Sequence, residues 1–92
     1  MENKVTEKQV DDKIVDLEWE TQNFFGRSVT VVAALLANGF IIIETSTCAS
    51  EDNYDLEIGK EICMERVRQK IWELEGYLLK EKMAGGLDDG EY

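Results

Sequence analysis

Three bases, Arg66, Arg68 and Lys70, fall within one short stretch, "ERVRQKIWELEGY", together with Gln69, Trp72 and Tyr77. Cations beside aromatic rings suit an anionic ligand that carries a ring, because guanidinium and ammonium groups hold phosphate while an aromatic face stacks on a base. With Tyr54 added, the expected ligand-binding residues are Tyr54, Arg66, Arg68, Gln69, Lys70, Trp72 and Tyr77. The plainer reading of the same bases is a solvated helix face, paired with Glu61, Glu65, Glu73 or Glu75.

Catalytic chemistry finds little to work with. The chain has no His, and its two cysteines, Cys48 and Cys63, lie outside any cationic run that would lower a thiol pKa strongly. Ser28, Ser46 and Ser50 have no evident base. The acidic pairs Asp11-Asp12 and Asp88-Asp89 read as solvated surface. Two cysteines are also too few for a metal cluster or a disulfide framework, so neither a metal nor a cofactor is expected, and both thiols are expected to be buried. The expectation is a binding protein and not an enzyme.

Charge narrows the partners. Twenty acidic residues against ten basic ones give a formal net charge of -10 over 92 residues. Phosphate backbones and anionic membranes are repelled by such a chain, so neither direct nucleic-acid binding nor membrane association is expected. An acidic surface imitating DNA is the sharper alternative to simple solubility. No apolar run approaches the ~20 residues that span a bilayer, and "MENKVTEKQVDDK" is too polar for a signal peptide. The expected location is the inside of a cell.

The elements that must position these groups follow from apolar spacing. Val10, Ile14 and Leu17 recur four and three residues apart, which predicts a one-faced helix over "TEKQVDDKIVDLEWET", with Thr6 as N-cap and Gly26 as the stop. Phe24 and Phe25 are expected to tuck beneath it. Two apolar runs flank Asn38-Gly39, the pattern of a two-residue type I′ hairpin that would oppose Ala37 to Phe40, Leu36 to Ile41 and Leu35 to Ile42. Leu36, Ile41 and Ile43 would then share one face, and Leu35, Phe40 and Ile42 the other. Ser50 is expected to cap a long helix from Glu51 to Met83. Unbroken, that helix would approach ~50 Å, so it should overhang or bend, with Gly59 and Gly76 as the bending points.

A helical wheel divides this long helix into two stripes. Leu56, Cys63, Val67, Ile71, Leu74 and Leu78 form a core face for the hairpin. Ile58, Ile62, Glu65, Gln69, Trp72, Gly76, Leu79 and Met83 form a second, heptad-spaced seam that calls for a partner helix. Either the first helix or a second copy of the chain can fill it, and a homo-oligomer interface is the preferred expectation.

Residues 38–83 also resemble a known family. "NGF" at Asn38, Gly39 and Phe40, Cys48 in its turn, Asn53-Tyr54-Asp55 leading into Glu57-Ile58-Gly59, and Lys70-Ile71-Trp72 with Leu74-Glu75-Gly76-Tyr77-Leu78 are similar to the phage accessory proteins called gene product forty-nine and gene product sixty-six. Thr47, Glu51 and Glu73 depart from that pattern, the last two standing where Pro is usual. The resemblance implies a phage protein made in the cytoplasm of an infected bacterium, and it brings no biochemical activity with it.

Together these readings predict a single α+β domain over residues 1–84 with an acidic tail at 85–92. The order is N-terminal helix, two-stranded antiparallel hairpin, long C-terminal helix (αββα), completed by oligomerisation. The expected function is a counter-defence protein that sequesters a nucleotide-type immune signal. The alternatives are an inhibitor of a host defence protein or nucleic-acid enzyme, and an assembly accessory.

Overall fold

The computed structural model describes residues 4–85. The expected tail from residue 86 onward lies outside the described residues. In chain order the elements are helix α1 (Glu7–Asp12), strands β1 (Ile14–Phe24), β2 (Arg27–Leu36) and β3 (Ile41–Thr47), a 3-10 turn at Glu51–Asn53, and helix α2 (Leu56–Met83). The strands form one antiparallel sheet in the order β1-β2-β3, and α2 packs on one of its faces. The α+β class holds, but the sheet has three strands where two were expected.

The additional strand comes from the segment read as a long first helix. Thr6 does cap a helix there: its Oγ1 accepts from Gln9 N at 3.2 Å, and Gln9 Oε1 accepts from Thr6 N at 2.8 Å, a reciprocal capping box. That helix stops after six residues. Beyond it, Leu17, Trp19 and Thr21 alternate with Asp16, Glu18 and Glu20, a period of two that places the first set toward α2 and the acids on the far side. Val10, Ile14 and Leu17 all reach one core, as their spacing suggested, but from a helix and a strand in turn.

Gly26 ends no helix. Phe25 (φ 57°) and Gly26 (φ 76°) are the two left-handed residues of a tight hairpin turn between β1 and β2, and Asn23 Oδ1 accepts from Gly26 N at 3.1 Å. Phe24 is half exposed and Phe25 fully exposed at its tip, the reverse of being tucked away.

The second hairpin turns at Asn38-Gly39, but with a three-residue loop. Leu36 N donates to Phe40 O at 2.8 Å, and Ala37 N is drawn out of the ladder to Lys13 O at 2.9 Å. Ala37 therefore cannot pair with Phe40. The register becomes Leu35↔Ile41, Ala34↔Ile42 and Ala33↔Ile43, one step from expectation, and a one-residue slip exchanges the faces. Leu36 and Ile42 are buried beneath α2, while Leu35, Ile41 and Ile43 lie on the open side.

Asp55, and not Ser50, caps α2: its Oδ1 accepts from Glu57 N at 2.9 Å and Ile58 N at 3.3 Å. Ser50 precedes the 3-10 turn and makes no side-chain cap. From Leu56 the helix runs unbroken for 28 residues, roughly 42 Å at ~1.5 Å per residue. It overhangs instead of bending, and the described chain is 53 Å along its longest axis. Cys63, Val67 and Ile71 form its buried stripe against Ala34, Leu36 and Ile42, but Leu56 and Leu78 are only half-buried and Leu74 is exposed.

The two glycines proposed as bending points differ in kind. Gly59 is buried where α2 meets β2, and a Cβ there would collide with the Thr30 hydroxyl and lie 2.9 Å from Thr30 Cβ. A Cβ at Gly76 would meet nothing within 4 Å. Gly59→Ala should therefore destabilise the fold by about 1–3 kcal/mol, an overpacking loss that outweighs the helix-propensity gain. Gly76→Ala should raise the stability of an isolated chain by up to about 1 kcal/mol. Urea unfolding monitored by far-UV circular dichroism reads both.

Candidate functional site

The residues singled out for ligand binding divide among separate places. Tyr54 sits between helix and sheet, its hydroxyl 2.9 Å from both Thr21 Oγ1 and Thr30 Oγ1. The hollow beside it, near Gly59, measures about 50 Å³, room for water and no more. Arg66 donates to Thr45 O at 2.6 Å and Lys70 Nζ lies 3.5 Å from Glu44, both along the β3 edge. Arg68 points the other way and pairs with Asp11 of α1 at 3.0 Å. Each base thus meets a group on another element, and none uses the neighbouring glutamates of its own helix.

Arg68, Gln69 and Trp72 do share a groove of about 320 Å³ between α1 and α2, but Glu7, Asp11 and Glu65 line it as well. Three carboxylates around one paired guanidinium make a poor seat for phosphate. Trp72 is 41% exposed at its margin. Along the rest of the second stripe, α1 packs beside the middle of α2, while Ile58 and Met83 at its ends remain more than half exposed.

Tyr77 stands apart, in a different cleft of about 380 Å³ between the β2-β3 hairpin tip and the overhanging half of α2. Leu36 and Ile71 form its floor. Phe40, Leu74, Tyr77 and Leu78 make its walls, and Asn38, Lys13 and Glu75 stand at its polar rim, the last two 3.7 Å apart. Local sequence explains the shape: the three-residue loop projects Phe40 sideways, and α2 continues past the end of the strands. Of these residues only Tyr77 was anticipated. The signal was nonetheless in view, since "NGF" and "LEGYL", two of the segments that carry the family resemblance, face each other across this cleft.

Among the described residues no group of three or more Cys, Asp or Glu is placed to hold a metal ion. No helix there is long and apolar enough to cross a membrane. The thiols differ from the expectation that both are buried. Cys63 is buried, and Cys48 is half-buried with its Sγ donating to Ser50 O at 2.9 Å.

A three-stranded sheet backed by one overhanging helix, with an apolar cleft between hairpin and helix at one end, defines a small α+β scaffold. The particular family is shown by its model, which matches residues 5–83: the chain belongs to the Phage protein (N4 Gp49/phage Sf6 gene 66) family. Neither a curated protein nor a solved structure matches it.

Burial pushes the Cys63 thiol up from its ordinary value, against a smaller downward pull from Arg66, so the thiol form persists at neutral pH. Titration of the native protein with a colourless-to-yellow disulfide reagent should label Cys48 alone, with Cys63 reacting only after denaturant is added. Equal labelling of both in the native state would contradict this packing.

Proposed function

We propose that this phage protein is a non-enzymatic counter-defence protein that sequesters a nucleotide-type immune signal in the host cytoplasm. The observation that carries the reading is the pair of aromatic rings, Phe40 and Tyr77, facing a common apolar cleft whose rim holds an amide, a carboxylate and an ammonium. Rings of this kind stack on bases without demanding a particular one. Asn38 and Glu75 supply an amide and a carboxylate for ribose or base edges, and Lys13 supplies a single positive charge. The volume lies at the low end of the ~300–1,000 Å³ range of small-molecule sites.

One ammonium, already paired with Glu75, is little for a phosphate. The reading therefore includes a homo-oligomer, in which the seam ends Ile58 and Met83 become covered and a second copy closes the cleft. Open space around Gly76 fits the close approach of another backbone. Should that contact form, Gly76→Ala weakens association while the isolated chain gains stability. Light scattering at about 50 µM, a concentration at which micromolar interfaces are populated, separates an oligomer from a monomer. A monomer there removes the seam from the proposal.

Calorimetry with a panel of cyclic nucleotides and ADP-ribose derivatives tests the ligand class. Phe40→Ala and Tyr77→Ala should each weaken the bound member by about fivefold or more, matching the ~1–3 kcal/mol lost with one stacked ring. A flat response across the panel at high micromolar concentration overturns the reading. The second reading, an inhibitor of a host defence protein or nucleic-acid enzyme, is favoured by one observation: Asp16, Glu18 and Glu20 stand in a row on the open side of the sheet.

A further inference from the structure

The face of the sheet turned away from α2 is uncovered. On β2 it presents Val29, Val31, Ala33 and Leu35; on β3 Ile41 and Ile43 stand beside Leu35 and Ala33, with Ile43 60% exposed, and Thr45 and Thr47 continue the strip beside Val31 and Val29 with their methyl-bearing side chains. On β1 the same face changes character, because Asp16 pairs with Leu35, Glu18 with Ala33 and Glu20 with Val31. An apolar strip is thus bordered along one side by carboxylates.

From this arrangement we infer that the open face is a docking surface for an amphipathic helix of another protein, its apolar stripe flanked on one side by Lys or Arg. The dimensions fit. Two adjacent strands with their side chains make a strip roughly 10 Å wide, the diameter of one helix. The ten residues of β2 extend about 33 Å, the length of a helix of about 20 residues. A second layer of helix would complete the sheet in the way α2 completes its other face, since a sheet with two apolar faces is ordinarily covered on both.

Charge chooses a foreign helix over a second copy. Face-to-face stacking of two copies would gather two rows of carboxylates around one interface, on a chain already at -10. A helix with bases on one flank meets the row with opposite charge, and charge complementarity of this kind sets orientation and speeds association. This surface lies across the sheet from the cleft at the hairpin tip, so the inference and the ligand reading stand or fall separately.

The test titrates isotope-labelled full-length protein with a synthetic Leu/Lys amphipathic helix of about 20 residues, and with two controls: its Leu/Glu counterpart and a scrambled Leu/Lys peptide of equal charge. The expected result is amide shifts concentrated on Val29–Leu35 and Ile41–Ile43 for the Leu/Lys helix alone. Ile43→Asp should weaken binding on the order of tenfold, and Glu18→Lys with Glu20→Lys should weaken it and remove the loss of affinity that added salt causes in the unsubstituted protein. All three positions are exposed, and an unchanged unfolding midpoint confirms that the variants fold. Shifts confined to α2, equal binding of the scrambled peptide, or no binding each overturn the inference. So does a dimer in light scattering that Ile43→Asp dissolves, because the face then belongs to a second copy.

Discussion

Everything distinctive about this molecule depends on how closely α2 approaches the sheet at one point. Gly59 has no side chain, so the helix backbone can settle against Thr30, and Tyr54, one turn earlier, places its hydroxyl between Thr30 and Thr21. Neutral hydrogen bonds like these contribute about 1 kcal/mol each. Their larger effect is positional, since they fix the start of α2 against β2 and so determine where its far end emerges. With Cys63, Val67 and Ile71 following in register over Ala34, Leu36 and Ile42, the remaining turns must project past the hairpin tip. The cleft between Phe40 and Tyr77 is the space left by that projection.

The same packing decides what the basic residues can do. On a 28-residue helix over a smaller sheet, bases on opposite flanks reach different neighbours: Arg66 and Lys70 extend to β3, Arg68 to α1. Exposed pairs of this sort add little stability, commonly below about 1 kcal/mol. They do fasten the flanks and leave the surface field dominated by unpaired acids. A run that looked cationic in sequence is therefore dispersed in space. The cation that reaches the cleft is Lys13, from the short connection between α1 and β1, where no sequence pattern had drawn notice.

Local signals were legible and competing periods were not. Thr6 declared a helix start, Asn38-Gly39 declared a turn, and the stripe of Cys63, Val67 and Ile71 declared the buried side of α2. The segment from Ile14 to Phe24 was misread because three apolar residues fitted a helical spacing, while the alternation from Asp16 to Asn23 was masked by acids unusual in strands. Its pairing with β2 is a tertiary fact, and the turn that allows it places a Phe in a left-handed conformation, which Phe25 gives no local reason to expect. The hairpin register failed on another tertiary fact, the bond from Ala37 N to Lys13 O. The candidate site was missed for the same reason: its two halves are about 40 residues apart, and only the fold brings Asn38 and Phe40 to Tyr77.

The end of α2 gives the cleft its mechanical character. Ile71 is the last buried residue of the helix, and from Trp72 to Met83 every side chain is only half-buried or exposed in the isolated chain. Segments with few buried contacts open at lower free energy than the core. One wall of the cleft is therefore anchored through the sheet, and the other stands on the least anchored turns of the molecule. An occupant that touches both Phe40 and Tyr77 joins them, and part of its binding free energy is spent on ordering the helix end. A second copy seated against Gly76 and Met83 would order the same turns in advance. On that argument occupancy of the cleft and pairing of the helices would reinforce one another, because each would fasten the same weakly packed turns at the end of α2.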